Sequence, residues 1–132
     1  MTDPRPTILL VEDEVIIRLG AVDLLEDAGF EVLEAPNADV AIKILEQRPD
    51  IRLVFTDVDI GTMDGGKLTH YIRHRWPPIQ LIVTSGKTFI REKDLPASAR
   101  FFGKPYAEHS IVTTMHEMIR AADGTGAAAA VR

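Results

Sequence analysis

The sequence predicts a single α/β domain built on a doubly wound parallel sheet. Three observations carry this. Short apolar runs alternate with helical patterns from Thr7 to about Ala121. The runs are apolar on both faces, as expected of parallel strands covered by helices on two sides. The chain has 132 residues, 45% of them apolar, enough core for one such unit and hardly room for a second.

Each element follows from its local pattern. Ile8–Val11 is a fully apolar run behind Pro6, halted by Glu12-Asp13-Glu14. Val15, Ile16, Leu19, Val22, Leu25 and Ala28 then recur at helical spacing, with Gly29 as the C-terminal stop. Glu31–Ala35 reads as a second strand closed by Pro36, and Asn37 as the N-cap of a helix. That helix carries Val40, Ala41, Ile44 and Leu45 on one face and ends at Pro49. Leu53–Phe55 is a third strand running into Thr56-Asp57. A loop rich in Asp and Gly leads to a helix around Lys67–Trp76, stopped by Pro77-Pro78. Ile79–Val83 is a fourth strand. Charges crowd Lys87–Asp94 and Pro96 interrupts, so any helix between Ser85 and Ser98 is short or irregular. Ala99–Phe102 is a fifth strand, and Glu108–Arg120 an amphipathic helix bearing Ile111, Val112, Met115, Met118 and Ile119. Five such units give a flavodoxin-like sheet of order 2-1-3-4-5. The domain is expected to span residues 7–121, with 1–6 and 122–132 as flexible termini.

Composition narrows the function. There are no cysteines, which excludes disulfide frameworks, thiolate zinc sites and cysteine nucleophiles. Fifteen Lys and Arg against twenty Asp and Glu give a net charge of −5, a poor basis for binding nucleic acid directly. No apolar stretch approaches a membrane span, and the start lacks the regions of a signal peptide, so a cytoplasmic location is expected.

In an open parallel sheet, ligands bind beyond the C-terminal strand ends, where strand order reverses. Strand 1 ends in Glu12 and Asp13, strand 3 in Asp57, strand 4 in Thr84, and strand 5 runs into Lys104. Solvent contact explains any one of these residues well and the whole set poorly. Clustered carboxylates repel unless a cation joins them, so at least one is expected to have a raised pKa. Mg²⁺ suits the set, because it takes few carboxylates and bridges to phosphate oxygens. A lysine and a threonine hydroxyl complete a cage for a phosphoryl group. An aspartate in such a cage can accept that group as an acyl phosphate, and Asp57 is the best placed.

These residues carry a resemblance. Glu12-Asp13, the run from Asp57 to Asp64-Gly65, Thr84-Ser85-Gly86 and Lys104-Pro105-Tyr106 resemble the receiver domain of two-component response regulators. The resemblance covers about Thr7–Ala121 and implies a stand-alone receiver, or a receiver belonging to a longer chain. It implies that Asp57 is the phospho-acceptor, and that Glu12, Asp13 and Asp57 hold Mg²⁺ with the backbone carbonyl of Asp59. It further implies that Thr84 and Lys104 bind the phosphoryl oxygens, that Phe101 is the aromatic switch, and that the Lys104–Pro105 bond is cis. The implied partners are a histidine kinase or histidine phosphotransfer protein and a downstream protein target, with neither nucleic acid nor membrane bound directly. No enzymatic activity is implied beyond self-catalysed phosphoryl transfer and autodephosphorylation. The sequence departs from the family pattern at Gly61, where proline is common, at Asp59, where a neutral residue is frequent, and over 87–98.

One enzymatic alternative shares the chemistry. Asp57-Val-Asp59 resembles the nucleophile and acid pair of haloacid dehalogenase-like phosphatases, which also form an aspartyl phosphate with Mg²⁺. That motif normally follows the first strand and has threonine where Gly61 stands. Other motifs fail on spacing. Gly86-Lys87-Thr88 lacks the earlier P-loop glycine, Leu81 being there, and Ser85 lacks the glycine of a nucleophile elbow, Val83 being there. His70 and His74 share a helix face without a third ligand and read as solvated surface, as do His109 and His116.

Overall fold

The computed structural model describes residues 5–58, 65–86 and 91–131, with side chains through Asp123. In chain order the elements are β1 (Thr7–Val11), α1 (Val15–Asp27), β2 (Glu31–Ala35), α2 (Ala38–Gln47) and β3 (Ile51–Asp57). There follow α3 (Gly65–Arg75), β4 (Gln80–Ser85), a 3₁₀ turn (Glu92–Asp94), β5 (Arg100–Gly103) and α4 (Glu108–Val131). The five strands form one parallel sheet in the order β2-β1-β3-β4-β5. This is the expected architecture.

Strand alternation divides the core into two layers. Leu9, Val11, Val54, Leu81 and Val83 face one side and pack with Ala41 and Leu45 of α2 and Leu68 and Ile72 of α3. Ile8, Leu10, Leu53, Phe55 and Ile82 face the other and pack with Ala21 and Leu25 of α1 and Ile111, Met115 and Ile119 of α4. Each fully buried Leu or Ile side chain contributes about 1.5–3 kcal/mol. Local signals agree with this packing. Oδ1 of Asn37 accepts from Val40 N at 2.9 Å, capping α2. Gly29, at φ 99°, turns the chain out of α1 in a conformation that Cβ-bearing residues seldom adopt.

The structure departs from the sequence pattern in three places. The α1 face is misread: Ala21 and Leu25 are buried, whereas Val15, Ile16 and Leu19 are 55%, 81% and 50% exposed. The helix starts beyond the C-terminal end of β1, at the rim of the sheet, and these residues of its first turns face solvent. The last helix continues to Val131 where a flexible terminus was expected after residue 121. Alanines 127–130, the best helix formers, outweigh Gly124 and Gly126. His116 is half-buried rather than solvated, stacked 4.4 Å from the Phe30 ring centroid with Nε2 2.9 Å from the Ala28 carbonyl. Its ring covers apolar surface at the end of α1 while one nitrogen keeps a polar partner.

Between β4 and β5 the described residues form only the 3₁₀ turn, in keeping with a short, irregular segment. Its Glu92 accepts from the backbone N–H of Phe101 at 3.0 Å. No described helix is long and apolar enough to cross a membrane.

Candidate functional site

The site lies where β1, β3, β4 and β5 end. Backbone hydrogen bonds fix each contributor in turn. Glu12 N donates to Ala35 O at 3.0 Å, Val58 N to Thr84 O at 2.8 Å, and Lys104 N to Ser85 O at 2.9 Å. Asp57 and Thr84 are direct register partners on β3 and β4. Glu12, Asp57, Thr84 and Lys104 therefore line one small cavity, together with Tyr106. The sequence assigned no role to Tyr106; its ring packs edge-on to Phe55 with centroids 5.9 Å apart, closing the apolar side of the cavity.

Lys104 is the cation of the cluster. Its Nζ lies 2.6 Å from Oδ2 of Asp57 and 3.5 Å from Oε1 of Glu12. Burial pulls the Lys104 pKa down, but the hydrogen bond from Nζ to Asp57 and the charges of Asp57 and Glu12 outweigh it, so the net shift is upward. Burial pushes the Glu12 carboxyl up, against the hydrogen bond it accepts from Glu14 N and the charge of Lys104. A raised acid was expected from repulsion within the cluster; here burial is the chief cause and the charge of Asp57 a minor one. Oγ1 of Thr84 is buried and has no hydrogen-bond partner among the described residues. An orphaned hydroxyl beside a lysine-bound carboxylate is a vacant donor for an oxyanion.

Of the four acids named from the sequence, the structure brings Glu12 and Asp57 together. Asp13 is exposed, and Asp59 lies outside the described residues, as do Gly61 and Asp64. Among the described residues no three acidic or histidine side chains converge as a metal-holding group. Phe101 is half-buried on β5 against the core layer of α2 and α3, opposite Val83. The Lys104–Pro105 bond is cis. His70, His74 and His109 are exposed, as expected.

Residues 8–118 match the family model of the response regulator receiver domain. The chain belongs to that family. This receiver is 37% identical over 123 residues to the sensor kinase CckA of Brucella abortus, covering 89% of this chain and 13% of the kinase. It is 29% identical over 118 residues to the response regulator receiver protein CpdR of the same organism, covering 87% of this chain and 98% of CpdR. Among solved structures, the receiver domain of the hybrid histidine kinase CckA superposes with a TM-score of 0.74 at 28% identity, covering 86% and 98% of the two chains. A response regulator receiver protein from Sinorhizobium medicae gives 0.82 at 26%, covering 89% and 97%.

Receivers generally depend on Mg²⁺. The donor set here fits it: two buried carboxylates offer hard oxygen ligands, and desolvation of Glu12 is a cost that a divalent cation relieves.

Proposed function

We propose that this receiver takes a phosphoryl group from a phosphohistidine onto Asp57 and thereby changes its contacts with other proteins. The observation that supports this most directly is the placement of Asp57, 2.6 Å from Nζ of Lys104 and paired in register with Thr84. A carboxylate oxygen of Asp57 attacks phosphorus, the P–N bond breaks, and the donor imidazole leaves with the bonding pair. Lys104 transfers its hydrogen bond from the carboxylate to a phosphoryl oxygen, and the Thr84 hydroxyl, which has no partner among the described residues, gains one. Bound Mg²⁺ supplies charge neutralisation at the phosphoryl oxygens; Glu12, Asp13 and Asp57, with the Asp59 carbonyl, are the residues to hold it. Movement of Thr84 draws Phe101 inward and alters the surface around β5.

The phosphodonor is a histidine kinase or histidine phosphotransfer protein, and the similarity to CckA, named as a sensor kinase, supports this. Its docking surface is the exposed apolar start of α1, which begins three residues after Glu12. The downstream target is a protein; neither nucleic acid nor membrane is engaged directly, and the receiver acts in the cytoplasm. Its chemistry is limited to self-catalysed phosphoryl transfer and autodephosphorylation. Neither relative described above is of the haloacid dehalogenase kind.

Treatment with acetyl phosphate and Mg²⁺, read by mass spectrometry, tests the central step. One Mg²⁺-dependent phosphoryl adduct is expected, absent in Asp57→Asn. Persistent labelling of Asp57→Asn overturns the assignment. Sustained release of phosphate from a generic ester favours the phosphatase instead.

A further inference from the structure

We infer that Arg18 is a positioning residue for the acids that hold the metal, acting through the peptide that joins Glu12 to Asp13. The inference rests on the reading that these acids bind Mg²⁺. Nη1 of Arg18 donates to the Glu12 carbonyl oxygen at 2.7 Å, and Nε donates to Oε1 of Glu34 at 3.1 Å. Its side chain is only 16% exposed, so this fork is not a casual surface contact. Around it the connection from β1 to α1 is tied at successive points: Arg18 N donates to Glu14 O at 2.9 Å, and Glu14 N to Oε2 of Glu12 at 3.1 Å.

The Glu12 carbonyl belongs to the planar peptide unit that ends at the Cα of Asp13. Fixing that oxygen fixes the plane, and with it the direction from which Asp13 leaves the strand. Glu12 itself is buried and held by its own hydrogen bonds, whereas Asp13 is exposed. The bond from Arg18 is thus the restraint that places the exposed acid relative to the buried pair. Without it the plane is held less firmly, and metal binding must order it at an entropic cost.

Glu34 gives the arrangement its second half. A bare guanidinium beside a divalent-cation site would oppose binding by repulsion. The carboxylate of Glu34, on the strand paired with β1, offsets that charge while leaving Nη1 free for the carbonyl. Electrostatics and positioning therefore predict opposite signs for the loss of Arg18. Removing a positive charge alone strengthens Mg²⁺ binding, and losing the restraint weakens it.

Calorimetric titration of Mg²⁺ into the wild-type protein, Arg18→Ala, Arg18→Lys and Glu34→Gln separates these effects. Arg18→Ala is expected to bind Mg²⁺ about tenfold more weakly, in the range found when groups supporting metal ligands are removed. Its labelling by acetyl phosphate at saturating Mg²⁺ is expected to stay within about twofold of wild type, because Arg18 touches neither Asp57 nor Lys104. Arg18→Lys keeps the charge but loses the fork, and is expected to weaken binding about threefold; it serves where Arg18→Ala fails to fold. Glu34→Gln is expected to weaken binding in a way that added salt reduces. Equal or tighter Mg²⁺ binding by Arg18→Ala, or by Arg18→Lys if only that variant folds, overturns the positioning role while leaving the proposed function intact. Absence of binding by wild type overturns the reading of the site itself, and the role of Arg18 with it.

Discussion

Nζ of Lys104 lies 2.6 Å from Oδ2 of Asp57, 47 residues earlier in the chain, and the same ammonium reaches Glu12 at 3.5 Å. One cation thus serves two buried carboxylates. Lys104→Ala removes this ammonium from both, and is expected to lower stability at pH 7 by about 1–3 kcal/mol. Well below pH 4.5 Glu12 is neutral in folded and unfolded chains alike, so its share of the difference should shrink there. Urea unfolding at the two pH values checks this, and an unchanged midpoint at pH 7 would refute it.

Glu12 gives a pH dependence of defined sign. Its folded-state pKa lies above the ordinary 4.5, chiefly through burial. The folded chain therefore binds the proton more tightly than the unfolded chain does. The stability this contributes is fully present below pH 4.5 and is lost as pH rises through the raised value. Glu12→Gln, which cannot ionise, should match wild type in acid and become relatively more stable as pH rises through that window. Thermal melts of the Mg²⁺-free proteins from pH 4 to 7 measure the divergence; parallel curves would count against a desolvated Glu12.

Thr84 sets function against stability. Its buried Oγ1 has no partner among the described residues, so the hydroxyl carries a desolvation cost with little return in the unphosphorylated fold. Thr84→Val keeps the shape and is expected to raise stability by about 0.5–1 kcal/mol while slowing labelling of Asp57. A variant that is destabilised yet labels at the wild-type rate contradicts both parts.

Ile16 tests the docking face. At 81% exposure it supports little of the fold, so Ile16→Ser should change stability by no more than about 0.5 kcal/mol. Labelling by acetyl phosphate should be unaffected, whereas transfer from a phosphorylated histidine protein should slow. Equal loss with both donors would place Ile16 in the chemistry rather than in docking.

The strand ends were legible because each marks itself twice, by an apolar run that stops and by a chemically loaded residue that follows. Asp57, Thr84 and Lys104 are cases of this, and the parallel topology then leaves few ways to arrange them. The exposed start of α1 was not legible. Periodicity reports that Val15, Ile16 and Leu19 are apolar, but only the endpoint of the neighbouring strand decides whether anything covers them. Arg18 was missed for a different reason. Its decisive contact is with a backbone carbonyl, and a carbonyl has no signature in the sequence. The half-buried His116 depends on the distant Phe30 and Ala28, 88 residues from it in the latter case, and no local pattern announces such a contact.

The Glu92 carboxylate on the Phe101 N–H has a further consequence for how copies of the protein meet. β5 is an outer strand, and outer strands offer unpaired donors on which foreign strands can assemble into aggregates. At Phe101 that donor is already taken by a side chain, and a charged one. Arg100, whose Nε lies 3.5 Å from the same carboxylate, adds a second charge at the border. A strand approaching this margin must first displace the Glu92 side chain from its hydrogen bond, which guards the edge at this point.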